Sequence, residues 1–326
     1  MQVTVLAGGI GAARFLGGLV ETLASTPEDP SITVIGNTGD DIRLFGLQVC
    51  PDLDSVMYTL GGGASEERGW GREDETFTVL EELRAYDAMP EWFGLGDRDL
   101  ATHILRTQML NGGYPLSDVT AALCARWKLP VRLLPMTNDR VETHVVIDDP
   151  QSQSRSAIHF QEWWVRHRAE VPAQEFLFIG ANEALPGPGV LEAIKDADLV
   201  ILPPSNPVVS IGPILAVPGI RNALVTTKAP IVGISPIVGD APVRGMAHKC
   251  LEAINVRTSA AGVGAHYGAR SDGGLLDAWI IDSLDAATAG AVTELGMHCE
   301  TMNTLFDEPG TARTVAARAV EFAKEL

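Results

Sequence analysis

The spacing of apolar residues changes along this chain of 326 residues, and each change predicts a different kind of element. Near the start, the strand-type run Val3-Thr4-Val5-Leu6-Ala7 feeds straight into Gly8-Gly9-Ile10-Gly11, and behind the glycines Phe15, Leu16, Leu19, Val20 and Leu23 recur at helical spacing. A strand, a glycine turn and a helix are predicted, with a second strand over 31–36. From 51 to 129 the strand pattern gives way to helical ones: Leu53, Val56, Met57 and Leu60; Phe77, Leu80 and Leu83; Leu100, Ile104, Leu105 and Met109; Leu116, Val119, Leu123 and Trp127. Strands return at 131–134, 143–147, 157–160, 176–179, 199–202, 231–233 and 276–281, the later ones alternating with helical stretches at 190–195, 245–254 and 311–324. The alternation predicts an α/β fold, Rossmann-like and doubly wound, with a mainly parallel sheet. Residues 1–50 and 130–326 would form its nucleotide-binding core, and 51–129 a helical insert whose glycine-rich loops are candidate sites.

The turn after the first strand suits an anion. Glycines let the backbone approach closely, and a helix N-terminus presents free N–H groups and a positive dipole end. It is not the full dinucleotide pattern, because Asn37-Thr38-Gly39-Asp40-Asp41 follows the second strand where a lone ribose-binding acid would stand. In a doubly wound sheet ligands bind at the carboxyl ends of strands, beside the point where strand order reverses. That directs attention to the loop after Leu202, where Ser205, Asn206 and Pro207 can either grip a nucleotide or close a structural Asx turn. The segment Ser235 to Gly245 repeats the logic of strand, proline turn and helix.

Charge sharpens the reading. With 24 basic against 42 acidic residues the net charge is −18, which repels nucleic acid and anionic membranes, so neither is an expected partner. An acidic chain that binds phosphates needs local compensation, and a divalent cation such as Mg2+ becomes a candidate. The aspartates Asp40, Asp41, Asp52 and Asp54 have the oxygen chemistry for it; the alternatives are a solvated turn for the first pair and a helix N-cap for the second. In Gly96-Asp97-Arg98-Asp99, Asp99 is a candidate cap, Arg98 or Arg106 a candidate phosphate ligand, and His103 a structural side chain. Trp163 and Trp164 read as packing or a subunit contact. The cysteines Cys50, Cys124, Cys250 and Cys299 are far apart, which predicts reduced thiols rather than a zinc site or a disulfide framework. The apolar run 208–220 is interrupted by Gly212, Pro213, Pro218 and Gly219, and the chain opens on a strand, so a cytoplasmic location is expected.

Taken together, Gly8-Gly9-x-Gly11, Asn37-x-Gly39-Asp40-Asp41, Cys50-Pro51-Asp52-Leu53-Asp54, Leu95-Gly96-Asp97-Arg98-Asp99-x-Ala101-Thr102-His103, His159-Phe160-Gln161-Glu162-Trp163-Trp164, Pro204-Ser205-Asn206-Pro207-x-x-Ser210-Ile211-Gly212-Pro213 and Ser235-Pro236-Ile237-Val238-Gly239 resemble the 2-phospho-L-lactate transferase family, CofD or FbiA. The resemblance spans nearly the whole chain. It implies an Mg2+-dependent transferase of coenzyme F-420 biosynthesis, moving a phosphoenolpyruvyl or 2-phospho-L-lactyl group from a guanosine diphosphate-linked donor to the ribityl hydroxyl of the deazaflavin Fo, with release of GMP. By matching of motifs it implies metal and reacting hydroxyl near Asp40, Asp41, Asp52 and Asp54, with Asp54 and Asp41 catalytic and Asp54 also touching Fo. It places donor phosphates near Gly8, Gly9 and Gly11, guanosine along Ser205, Asn206 and Pro207, and the deazaflavin beside Trp70 and the loop from Gly94 to Asp97. Some members of the family carry a lysine where this chain has Gly94. A homodimer is the expected assembly, and Asp54→Ala is expected to abolish transfer and leave the fold intact.

Two other classes share parts of the pattern. A YvcK-like sugar-nucleotide-binding regulatory protein has a similar glycine turn and acidic loop without transferase activity; the insert and the Leu-Gly-Asp-Arg-Asp run argue against it. An NAD-dependent oxidoreductase shares the opening turn alone and lacks support from a ribose-binding acid.

Overall fold

The structure is a computed structural model that describes residues 1–25, 30–65, 67–148 and 154–326. Seven strands form its central sheet: β1 (Gln2–Ala7), β2 (Ser31–Gly36), β3 (Arg132–Pro135), β4 (Leu199–Leu202), β5 (Ile231–Ile234), β6 (Ala278–Asp282) and β7 (His298–Met302). They lie in the order β7-β6-β5-β4-β1-β2-β3, and every neighbouring pair is parallel. The chain winds outward from β1 through β2 to β3, then returns to lay β4 on the other side of β1 and winds away again. The reversal between β1 and β4 is the switch point of a doubly wound sheet.

Alternation along the strands divides the core in two. Val3, Val5 and Ala7 face a layer holding α1 (Gly9–Ala24), α2 (Pro51–Leu60), α5 (Leu116–Trp127) and the last helix, Thr311–Glu325. Leu6, Ile35, Val200 and Leu202 face the other layer, which contains Trp163, Ile211, Leu251 and Trp279. Between α2 and α5 lie α3 (Thr78–Ala85) and α4 (Asp97–Asn111). Residues 51–129 thus supply four helices, two of which, α2 and α5, bury their apolar sides in the same core as α1.

The strands expected near 143–147, 157–160 and 176–179 form at Glu142–Asp148, Arg155–His159 and Ala173–Ile179, in a separate antiparallel sheet that packs its Val145 and Ile147 into the second layer. Strand β7 was not expected, because His298-Cys299-Glu300-Thr301-Met302 lacks a strand pattern; it is an edge strand whose backbone pairing to β6 suffices. All four cysteines are free. No single helix among the described residues is long and apolar enough to cross a membrane, and the apolar run after Asn206 forms short helices bent by 91°.

Candidate functional site at the sheet switch point

The carboxyl ends of β1 and β4 meet at a cavity of about 980 Å³. Their loops pack backbone to backbone. A Cβ on Gly8 would sit 2.5 Å from Ser210 Cβ and 2.7 Å from Asp52 Oδ2, and one on Gly11 would run into the Pro204 carbonyl oxygen. Glycine is the residue that lets these loops touch. Ser205 Oγ donates to the Gly8 carbonyl at 3.0 Å, and Asn37 Nδ2 bridges Val209 O at 3.1 Å and Asp52 Oδ2 at 2.9 Å. The Gly8, Gly9 and Gly11 turn, Ser205 and Asn206 therefore come together as expected at the cavity wall. Pro207 opens a π-helical turn, Pro207–Ile211, and is buried behind that wall. Asn206 is engaged structurally: its Oδ1 accepts from Val208 N at 2.9 Å and Val209 N at 3.3 Å, capping that turn, and its Nδ2 meets Cys250 Sγ at 3.4 Å.

The four aspartates are all buried, and the structure separates them. Asp40, Asp52 and Asp54 line the cavity; Asp41 lies behind them with its carboxyl against the Cys50 thiol, and its backbone carbonyl accepts from His159 Nε2 at 3.1 Å. Asp52 accepts from Asn37 Nδ2 and sits against the glycine turn, and burial holds its pKa up, at about 6, against the lowering by Asn37 and by the Gly9 backbone. For Asp40, burial and then the charge of Asp52 push the pKa well above the usual carboxylate range. Burial also raises Asp54, opposed by Arg106 and His103. Asp40 Oδ1 and Asp54 Oδ2 are buried without a hydrogen-bond partner. A buried carboxylate that keeps an oxygen unpartnered beside the cavity has the chemistry for a divalent cation.

The insert contributes a second group that the sequence reading left out. Arg106, only 2% exposed, does not reach toward a phosphate; it forms an ion pair with Asp54 Oδ1. Its Nη1 also meets His103 Nδ1 at 3.0 Å, while His103 Nε2 lies 3.3 Å from Asp99 Oδ2 and Tyr58 donates to Asp99 Oδ1 at 2.6 Å. Burial works against ionising Asp99, yet the bonds from His103 and Tyr58 hold its pKa below the usual value. Asp54, Asp99 and His103 bring ligand atoms within 4.8 Å of one another, so this set, rather than the four aspartates, converges closely enough for one ion. Asp99 is not the helix cap: Gly96 holds that position, and the Glu75 carboxylate accepts from the N–H groups of Arg98 and Asp99. Arg98 is half-exposed near Asp74.

Helix α4 carries the group because it is turned around. Asp99, Thr102, His103 and Arg106, at spacing i, i+3, i+4 and i+7, face inward, while Ile104 and Leu105 are 53% and 45% exposed. The apolar stripe read from Leu100, Ile104, Leu105 and Met109 is thus split: Leu100 is buried and Met109 packs on the core, while Ile104 and Leu105 face outward. The polar stripe was the available signal.

Aromatic residues close two flanks. On the insert side Trp70, 46% exposed, lies beside Gly94, where a Cβ would be 3.5 Å from the indole, and Trp92 and Phe93 continue that wall. On the opposite flank Trp164 stacks on Phe160, with ring centroids 6.2 Å apart. Trp163 is a core residue as expected, its Nε1 donating to Val171 O at 2.8 Å; Trp164 instead lines the cavity. Arg14 and Arg244 also line it, the latter on the Ser235 to Gly245 turn.

Comparison with known proteins identifies the family. Residues 3–304 match the family model described as 2-phospho-L-lactate transferase CofD. A protein of Thermobifida fusca (strain YX) named phosphoenolpyruvate transferase is 60% identical over 330 residues, covering 100% of this chain and 99% of the relative. One of the same name from Mycobacterium sp. (strain JLS) is 53% identical over 332 residues, covering 99% of each chain. Among solved structures, protein BH3568 of Bacillus halodurans, of the UPF0052 family, superposes with a TM-score of 0.62 at 18% identity, covering 98% of this chain and 99% of that one. That likeness extends to the fold. The chain belongs to the 2-phospho-L-lactate transferase CofD family.

Proposed function

We propose that this member of the CofD family is the phosphoenolpyruvyl transferase of F-420 biosynthesis, acting on a guanosine diphosphate-linked donor and the deazaflavin Fo. The observation that carries the reading is a switch-point cavity with unpartnered, buried carboxylate oxygens on Asp40 and Asp54, set between two aromatic flanks. The names of the relatives favour phosphoenolpyruvyl over 2-phospho-L-lactyl. In the reaction the ribityl hydroxyl oxygen bonds to the phosphorus carrying the enolpyruvyl group, the bridging P–O bond breaks, and GMP leaves with the bonding pair. The hydroxyl proton passes to the carboxylates at the cavity floor.

Asp54, Asp99 and His103, whose ligand atoms converge, would hold Mg2+, with Asp40 as a further candidate. When bound, the ion supplies compensation for charge on the phosphate oxygens and the departing GMP. Arg106 fixes Asp54 through Oδ1 and leaves Oδ2, beside His103, without a hydrogen bond among the described residues. Gly8 and Gly11 let the donor phosphates approach the backbone. Trp70 and the Gly94 loop would pack on the deazaflavin, whose flat ring suits the insert-side wall. The resemblance supports a homodimer in the cytoplasm as the working form, and sedimentation equilibrium tests the assembly.

The test is mass spectrometry of purified protein with Fo, Mg2+ and each donor in turn, enolpyruvyl- and lactyl-diphosphoguanosine, with a chelated control. An enolpyruvyl-phosphate adduct of Fo with stoichiometric GMP is expected, and none with EDTA. Binding of UDP-linked sugars without transfer from either donor would overturn the reading in favour of a binding module.

A further inference from the structure

We infer that Tyr58 is a positioning residue for the cation: its hydroxyl holds the Asp99 carboxylate in the orientation that lets α2 and α4 present ligand atoms to one ion. The inference rests on the divalent cation proposed above and deepens it.

Two helices supply the candidate ligands, Asp54 from α2 and Asp99 and His103 from α4. Helix α2 also supplies the link between them. Tyr58 follows Asp54 by one helical turn, on the same face, and crosses to α4, where its hydroxyl donates to Asp99 Oδ1 at 2.6 Å. The other oxygen, Oδ2, is left on the side of His103, 3.3 Å from Nε2. A phenol gives one donated bond and carries no charge, so it fixes the carboxylate without neutralising it for the ion. Partners of this kind orient ligating carboxylates and set metal affinity. Arg106 acts on Asp54 in the same way through Oδ1, so each carboxylate is held by one oxygen.

The ring is seated for that task. Tyr58 is 1% exposed, with its ring centroid 5.3 Å from that of Trp127 and 5.9 Å from the Arg72 guanidinium. Arg72 extends to α4 as well, its Nη1 donating at 3.0 Å to the carbonyl of Arg98, the residue before Asp99. Trp127, at the end of α5, enters a cradle of glycines: a Cβ on Gly61 would be 2.6 Å and one on Gly63 2.4 Å from the indole. A side chain at either position would push the indole, and with it the phenol, out of place. The Gly61-Gly62-Gly63 run does not line the cavity. It reaches the site through two packed rings, Trp127 and Tyr58, and so acts on the carboxylate without touching a ligand.

The experiment titrates Mn2+, which shares the oxygen chemistry of Mg2+ and is read by EPR, into wild type, Tyr58→Phe, Asp99→Asn and the double variant. Tyr58→Phe keeps the ring and loses only the hydroxyl, and its Kd for Mn2+ rises about tenfold or more. The double variant binds no more weakly than Asp99→Asn alone, because a residue that acts through Asp99 has nothing left to act on. Thermal unfolding with and without Mn2+ separates a structural role, which lowers both midpoints equally, from a positioning role, which shrinks the difference between them. Should Tyr58→Phe fold poorly, Trp127→Leu removes the seat and keeps the hydroxyl, and its Kd for Mn2+ rises as well. An unchanged Kd in Tyr58→Phe, or in Trp127→Leu where that variant stands in for it, would overturn the inference. So would losses that add in the double variant, or midpoints that fall equally. A wild type that binds no Mn2+ would instead count against the cation proposed above.

Discussion

The cavity is made from two halves stabilised in opposite ways. The sheet half, comprising the glycine turn, Asn37 and the Pro204 to Ser210 loop, carries no charged side chain in those segments and relies on close backbone approach, bonds to carbonyls and the bond from Asn37 to Asp52 of α2. The insert half, on α2 and α4, is a buried assembly of charges: Asp54, Asp99, His103 and Arg106. Steric fit tolerates no added atoms but survives changes of charge; a charge cluster tolerates small shape changes but not the loss of a partner. The division suits the chemistry, since phosphates bind where backbone is exposed and ions where carboxylates converge.

The largest test of that contrast is Arg106→Ala, which leaves Asp54 buried and uncompensated. A loss of about 3–5 kcal/mol in urea unfolding is expected. The same logic corrects the expectation for Asp54→Ala. Asp54 is 5% exposed and paired, so its removal strands Arg106 and costs comparable stability; Asp54→Asn is the better probe of transfer. A loss below about 1 kcal/mol for Arg106→Ala would mean that the insert half is solvated and not a charge cluster.

Next is the pH response of Asp52 in chelator. Folding raises its pKa from 3.8 to about 6, so its contribution to stability is complete below about pH 4 and disappears as pH rises through 6. Asp52→Asn removes that slope. The variant should gain on wild type between pH 4 and 7 by up to about 3 kcal/mol; a pH-independent difference would show that the native site does not hold the proton.

On the sheet half, Gly11→Ala should cost about 1–3 kcal/mol from the collision with Pro204, whereas Gly17→Ala, on the same helix with open space around it, should be neutral or better. Equal effects at the two glycines would remove the steric account. The smallest expected change is Trp70→Ala: within about 0.5 kcal/mol in stability because the side chain is 46% exposed, but about tenfold weaker Fo binding by fluorescence titration. Unchanged Fo affinity would move the deazaflavin off that wall.

These halves differed equally in legibility. The sheet half was readable because its signals are local: glycines directly after a strand, prolines and Asn206 after another. The strand period also gave β1, β2, β4 and β5 with small boundary shifts. The insert half was not readable, because the role of Arg106 depends on which face of α4 is buried, and Ile104 and Leu105 of its apolar pattern lie outside that face. His103 looked structural in isolation; its meaning comes from Asp54 and Asp99, which reach it from 49 positions away and from the preceding turn. Strand β7 escaped for a similar reason, as pairing to β6 and not its own residues makes it a strand.

The Asp52 carboxylate sits directly against Gly8 and Gly9. The opening turn carries its own resident anion, so an arriving phosphate has to compete with a carboxylate already in place. A small free anion such as orthophosphate gains little by that exchange, while a large donor that also engages the cavity's flanks gains enough to make it. If the donor phosphates bind here as proposed, the turn would act as a filter against small free anions, favouring ligands that bring more than a phosphate.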